Sequence, residues 1–293
     1  MRSSFIQTAF CILAMFAASL GTKPIANADS PESIVLLPQQ VELSHAGDLQ
    51  RLSVATWQDG IAGSTIDDVT IETSDPSIVK VVEQTLHAVS DGVATVTATT
   101  TDGKSTATDV TVGGTKQPHQ WSFRNDVQSV LAKQGCNMGA CHGALAGKGG
   151  FVLSLRGYDS NADFHSITRQ ARGRRIEMAD PGRSLLLAKP TGALPHKGGL
   201  RLDTKSRDYE ILAQWIANGA AAPSEDDALI EKITVTPENA KLHPGDNSQV
   251  LVTAHYDDGT SRDVTHWSQF TATDEAVAGV DETGRVQING SGE

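Results

Sequence analysis

Residues 133–151 read KQGCNMGACHGALAGKGGF and hold the side chains best suited to chemistry in this chain. Cys136 and Cys141 stand five positions apart, and His142 follows the second thiol directly. Three chemistries suit that set. Two thiols can form thioethers with the vinyl groups of a haem while the adjacent histidine binds the iron, as at the usual C-x-x-C-H site. Here the spacing is C-x4-C-H, with Gly139 to relieve the longer loop. The thiols can instead close a short disulfide loop, which leaves His142 an ordinary surface residue. Or Cys136, Cys141, His142 and His196 can supply the four ligands of a zinc site.

Other signals carry less chemistry. The stretch GALAGKGG looks like a phosphate loop, but Gly149 stands where Ser or Thr would hold magnesium, so it reads as a turn. In RQARGRR, Arg174 and Arg175 sit beside Arg169 and Arg172. They suit a solvated basic loop, contacts to haem propionates, or docking of an acidic redox partner. Trp215 suits a core position or a ring lying against a macrocycle.

The compartment limits what the thiols can do. Residues 1–28 carry Arg2, a short apolar run from Ala9 to Leu20, and Ala26-Asn27-Ala28 as small residues for cleavage before Asp29. This predicts an exported mature chain in the periplasm or at the cell surface, with an uncleaved anchor as the alternative. Cys11 leaves with the signal, so only Cys136 and Cys141 remain, and in an oxidising compartment they should be paired or bonded. Removing Arg2 and Lys23 takes the net charge from −11 to −13. No later run is long enough to span a bilayer.

The elements that must position the site differ in kind along the chain. In WSFRNDVQSVLAKQG, Phe123, Val127, Val130 and Leu131 fall on one helical face that leads into Cys136. In SRDYEILAQWIANGA, Ser206 is the expected N-cap, Tyr209, Leu212 and Ile216 form a stripe, and Gly219 is the stop. Residues 33–112 instead alternate Val, Thr and Ile between Asp-Gly turns, which predicts short strands. The tail from 230 repeats that plan: Pro38 matches Pro237, Gly47 Gly245, Gly60 Gly259, Val69 Val264 and Val81 Val280. The second copy lacks a counterpart of VATVTATTTDGKSTATDVTV, so continuation past Glu293 is expected. The stretch 117–223 is net basic and its flanks are strongly acidic. Nucleic acid is a poor partner for an exported, acidic protein.

The two flanks resemble the group 2 bacterial Ig-like domains, a likeness that implies spacer or adhesion modules and cell-surface or polysaccharide association. Residues 121–222 resemble the cytochrome c-like module of large planctomycete-type exported proteins. The words that carry this are GCNMGACHGALAGKGGFVLSLRGYD, RRIEMADPGRSLLLAKPTGALPHKGG and WIANGA. The resemblance implies one covalently attached haem c. It also puts the sixth iron ligand in GALPHKGG, where His196 stands in place of methionine, with Met178 and His165 as fallbacks.

The expected architecture is multidomain. A signal peptide (1–28) precedes an all-β Ig-like sandwich (33–113), a mainly α-helical cytochrome c-like domain (117–223) and a second, incomplete Ig-like sandwich (230–293). The expected function is electron transfer with a redox partner protein. The rivals are a haem-free scaffold with a Cys136–Cys141 disulfide, or the non-catalytic front of a larger exported enzyme.

Overall fold

The alternating runs form strands because each can bury one face and solvate the other. The computed structural model describes residues 33–292; the signal segment and its expected cut lie outside them. The first β-module comprises β1 (Ser33–Leu37), β2 (Val41–Leu43), β3 (Leu49–Arg51), β4 (Ser53–Gln58), β5 (Ile61–Thr65), β6 (Val69–Thr73), β7 (Val79–Val82), β8 (Thr85–Ala88), β9 (Gly92–Thr100) and β10 (Ser105–Val112). These pair as β1-β4-β5, β2-β10-β9-β6 and β3-β8-β7. All pairings are antiparallel except β2 with β10. In β10, Thr108, Val110 and Val112 are buried while Asp109 and Thr111 face out. The inward residues, with Leu52, Val54, Val79, Leu86 and Val96, make a core of the module's own.

The second β-module contains β11 (Ile230–Thr236), β12 (Asn247–Gln249), β13 (Leu251–Tyr256), β14 (Ser261–Asp263), β15 (Ala278–Val280) and β16 (Arg285–Ile288). Its sheets, β11-β13-β14 and β12-β16-β15, follow the plan of β1-β4-β5 and β3-β8-β7. Among the described residues it has no counterpart of the four-stranded sheet. Leu251 packs instead on Val35, Leu37 and Ala55 of the first module.

Between the modules lie four short α-helices: α1 (Gln128–Lys133), α2 (Ser160–Thr168), α3 (Leu185–Ala188) and α4 (Arg207–Ala217). A π-helical turn at Phe123–Val127 leads into α1. The expected mainly α-helical cytochrome c-like domain is therefore not what this segment forms. The described chain is predominantly β, and most of 134–206 runs as turns and single 3-10 turns. The physical reason is visible in the sequence. That interval is rich in glycine, and its apolar residues come singly or in short runs such as Phe151–Leu153 and Leu185–Leu187, so no long helical stripe can be buried. The stripes lie outside it, at 123–131 and in α4. Ser206 caps α4 by accepting from the Tyr209 amide.

The middle segment nevertheless has a real core. Phe123, Val127 and Leu131 meet Ile211, Leu212, Trp215 and Ile216 there. Residues 32–293 cluster as one compact unit. Arg262 of β14 reaches Asp126 at 2.6 Å, and Trp267 donates to Asp208 of α4 at 3.0 Å. The Arg51 amide donates to Asp263 at 2.7 Å. The second module thus braces the site segment and is itself tied to the first.

Candidate functional site

The first half of the site is the loop after α1. The Cys136 amide caps the end of α1 by donating to Leu131 O (2.8 Å) past Gly135, and Cys141 N donates to Met138 O (2.8 Å). His142 N then donates back to Cys136 O (2.9 Å), which closes the loop and sets the histidine beside the first thiol. Gly143 makes this closure possible, since a Cβ there would stand 2.0 Å from Asn137 O. The His142 Nδ1 lies 3.0 Å from Phe151 O. A carbonyl only accepts, so Nδ1 carries the proton and Nε2 keeps its lone pair. Burial, partly countered by that bond to Phe151, lowers the His142 pKa and favours the neutral ring a metal requires.

The second half is the loop between α3 and α4. The His196 Nδ1 lies 2.9 Å from Gly199 O, so here too Nε2 is left as the ligand nitrogen. Gly198 is needed against the ring: a Cβ would fall 2.8 Å from His196 Cε1. Lys189 Nζ donates to Pro195 O (3.1 Å) and Arg201 Nε to Gly198 O (2.9 Å), which pins the loop. The rings of His142 and His196 are 6.4 Å apart between centroids and within 11° of parallel.

Both histidines and both cysteines line one cavity of about 940 Å³. Its walls are apolar, with Val130, Leu131, Leu185, Leu186, Leu202 and Leu212. Lys148, Arg174, Arg175, Lys189, Lys197 and Arg201 also line it, and among the described residues no carboxylate does. The volume lies at the upper end of cofactor sites.

The other expected residues are placed as follows. Arg174 is exposed at the cavity, free to meet an anion. Arg175 also lines it but is buried, with its guanidinium committed to the carbonyls of Ser166 (2.7 Å) and Gly150 (2.8 Å). Trp215 is a core residue that does not line the cavity; it packs on Phe123 and donates to Ala221 O. Met178 and His165 are exposed and outside the lining. The GALAGKGG stretch is a turn, closed by mutual backbone bonds between Lys148 and Phe151. Phe151, Lys189 and Arg201 escaped the sequence reading. Each acts on or through a backbone carbonyl, and residue type does not announce that.

Cys136, Cys141, His142 and His196 are residue types that would hold a haem. Cys136 and Cys141 are free thiols, and burial, followed by the neighbouring Cys141, pushes the Cys136 thiol up to about 11. Among the described residues no group of three or more His, Cys, Asp or Glu is gathered to hold a bare metal ion. Two histidines suffice when a macrocycle supplies the remaining ligands.

Among the described residues no helix is long and apolar enough to cross a membrane. No family model matches the chain, and no curated protein matches it. Among solved structures, 29% of the chain is similar to 54% of domains 4 and 5 of the S-layer protein SbsC, at 14% identity and a TM-score of 0.23. The S-layer protein rSbsC(31-844) is similar over 32% of this chain and 14% of its own, at 13% identity and a TM-score of 0.25. The chain thus spans about half of the first and a small part of the second. Likenesses this slight carry no argument about what the chain does.

Proposed function

We propose that this chain is an exported haem-binding electron-transfer protein, in which Cys136 and Cys141 would attach the haem and His142 and His196 would hold its iron. One observation carries the reading. Two imidazoles, each tied at Nδ1 to a backbone carbonyl, stand 6.4 Å apart and nearly parallel on a cavity they share with both thiols. A bound haem supplies a one-electron couple. The chain's own residues do the rest. Phe151 O and Gly199 O fix the tautomers, so both rings offer an unprotonated nitrogen. The leucine walls give the cavity an apolar lining. Arg174 and Arg201 place positive charge at exposed positions on it, which suits propionates and the approach of an acidic redox partner.

The test is expression of the full chain in an exporting host that matures c-type cytochromes, followed by a denaturing haem stain and a pyridine haemochrome spectrum. The reading predicts covalent haem in the wild type and none in the double variant Cys136→Ala, Cys141→Ala. A wild-type protein without haem but with a Cys136–Cys141 disulfide by mass spectrometry supports the scaffold reading instead.

A further inference from the structure

The buried cation beside the cavity has a job that the haem reading leaves unassigned. Arg175 is only 5% exposed, and among the described residues no carboxylate pairs with it. A buried charge without a counter-ion is costly unless its donors are all directed at acceptors. Arg175 directs two of its five N–H donors at backbone carbonyls and lays its guanidinium on an aromatic ring. It donates to Ser166 O on α2 (2.7 Å) and to Gly150 O (2.8 Å), and its guanidinium carbon lies 4.5 Å from the centroid of the Phe151 ring. The Phe151 carbonyl is the acceptor for His142 Nδ1, and its ring centroid is 4.5 Å from that of the imidazole.

The turn that carries Phe151 contains Gly147, Gly149 and Gly150, and its own ladder is the single bridge between Lys148 and Phe151. Past the turn, Ser166 Oγ of α2 donates to Val152 O (2.5 Å) and Leu153 N donates to His142 O (2.8 Å). At Gly150 and Phe151 themselves, α2 is reached through the Arg175 guanidinium. A connected path therefore links α2 to Arg175, Arg175 to the Gly150–Phe151 backbone, and Phe151 to His142.

We propose that Arg175 is a positioning residue: by clamping the Gly150–Phe151 turn to α2 it fixes the His142 tautomer and ring orientation. This rests on the haem reading for its purpose, though not for its geometry. Outer partners of a ligating histidine set which nitrogen is free and how basic it is. Arg175 performs that service one residue further out and does not itself touch the imidazole proton.

The experiment compares wild type, Arg175→Gln and Arg175→Lys in the full chain, with and without haem. In haem-free protein, nitrogen-15 shifts of His142 should show one Nδ1-protonated tautomer in wild type and Arg175→Lys, and a tautomer mixture in Arg175→Gln. In haem-loaded protein, EPR should show one low-spin species in the first two and a heterogeneous low-spin signal in Arg175→Gln. A merely structural arginine would change folding but neither signature in the folded fraction. If Arg175→Gln leaves both signatures as in wild type, the proposal is overturned. Should that variant not fold, Arg175→Met keeps an apolar stem in the same place and removes the donors to Ser166 O and Gly150 O. Tautomer mixing there supports the proposal, and a wild-type tautomer overturns it. Failure of every variant, wild type included, to take up haem defeats the proposed function, while the tautomer comparison still decides the role of Arg175.

Discussion

Two pairs of nearly parallel imidazoles occur in this molecule, and they have opposite characters. His45 and His119 stack face to face where the first β-module meets the middle segment, 3.6 Å apart and within 13° of parallel. Trp121 stands edge-on to both. The Nε2 atoms of this pair are buried without a hydrogen-bond partner, and burial takes the His45 pKa down to about 4. His142 and His196 are as parallel but 6.4 Å apart, tied at Nδ1, and open to a cavity. The contrast shows that closeness and parallelism do not make a ligand pair. What separates the two is a fixed tautomer and space for a shared centre between the rings.

The largest effect should come from dismantling the packed pair. Trp121→Ala removes the edge against which both rings sit and takes from Gln214 Oε1 the indole N–H it accepts from at 2.7 Å. A loss of about 3–5 kcal/mol in urea denaturation is expected, with haem content in the folded fraction unchanged. Loss of haem from folded protein would mean that the two regions are not separable in this way.

Acid should act on the same pair. An unfolded His45 protonates near 6.5, but the folded one resists until about 4. Burial lowers His119 in the same direction. Stability is therefore full above about pH 6.5, falls as pH drops through the interval, and the loss is complete below about pH 4. Asp48 favours the protonated His45, while His119, Arg262 and Arg207 oppose it; Asp126 favours protonation of His119. The loss should be on the order of 3 kcal/mol, read from denaturation midpoints across that range. His45→Gln should remove much of the slope; an unchanged slope would assign it elsewhere.

The ligand pair should respond in the reverse manner. Gly198→Ala puts a Cβ against the His196 ring on an exposed loop. Its cost in stability is expected below about 0.5 kcal/mol, while the axial spectrum of the haem-loaded protein should shift. A shift in stability with no spectral change would make His196 a turn residue only.

The contrast also explains what could be read in advance. The thiols and His142 are adjacent in sequence, so their spacing exposes the chemistry directly. His196 was reachable through its place before α4. The strands were legible because alternation in runs such as Ser105–Val112 reports burial residue by residue. The helical domain was misjudged because stripes at 123–131 and 209–216 were extended across a glycine-rich interval with no stripe of its own. The stack of His45 on His119 joins residues 74 positions apart and leaves no local pattern. The service of Phe151 and Arg175 is likewise invisible, because it runs through backbone carbonyls that every residue type possesses.

The most direct test of the axial pair is EPR of the haem-loaded full chain before and after His196→Ala. Ligation by His142 and His196 predicts a low-spin wild-type signal that converts to high-spin in the variant, with the haem still covalently attached through Cys136 and Cys141. A low-spin signal unchanged by the substitution would contradict that pairing and remove His196 from the iron.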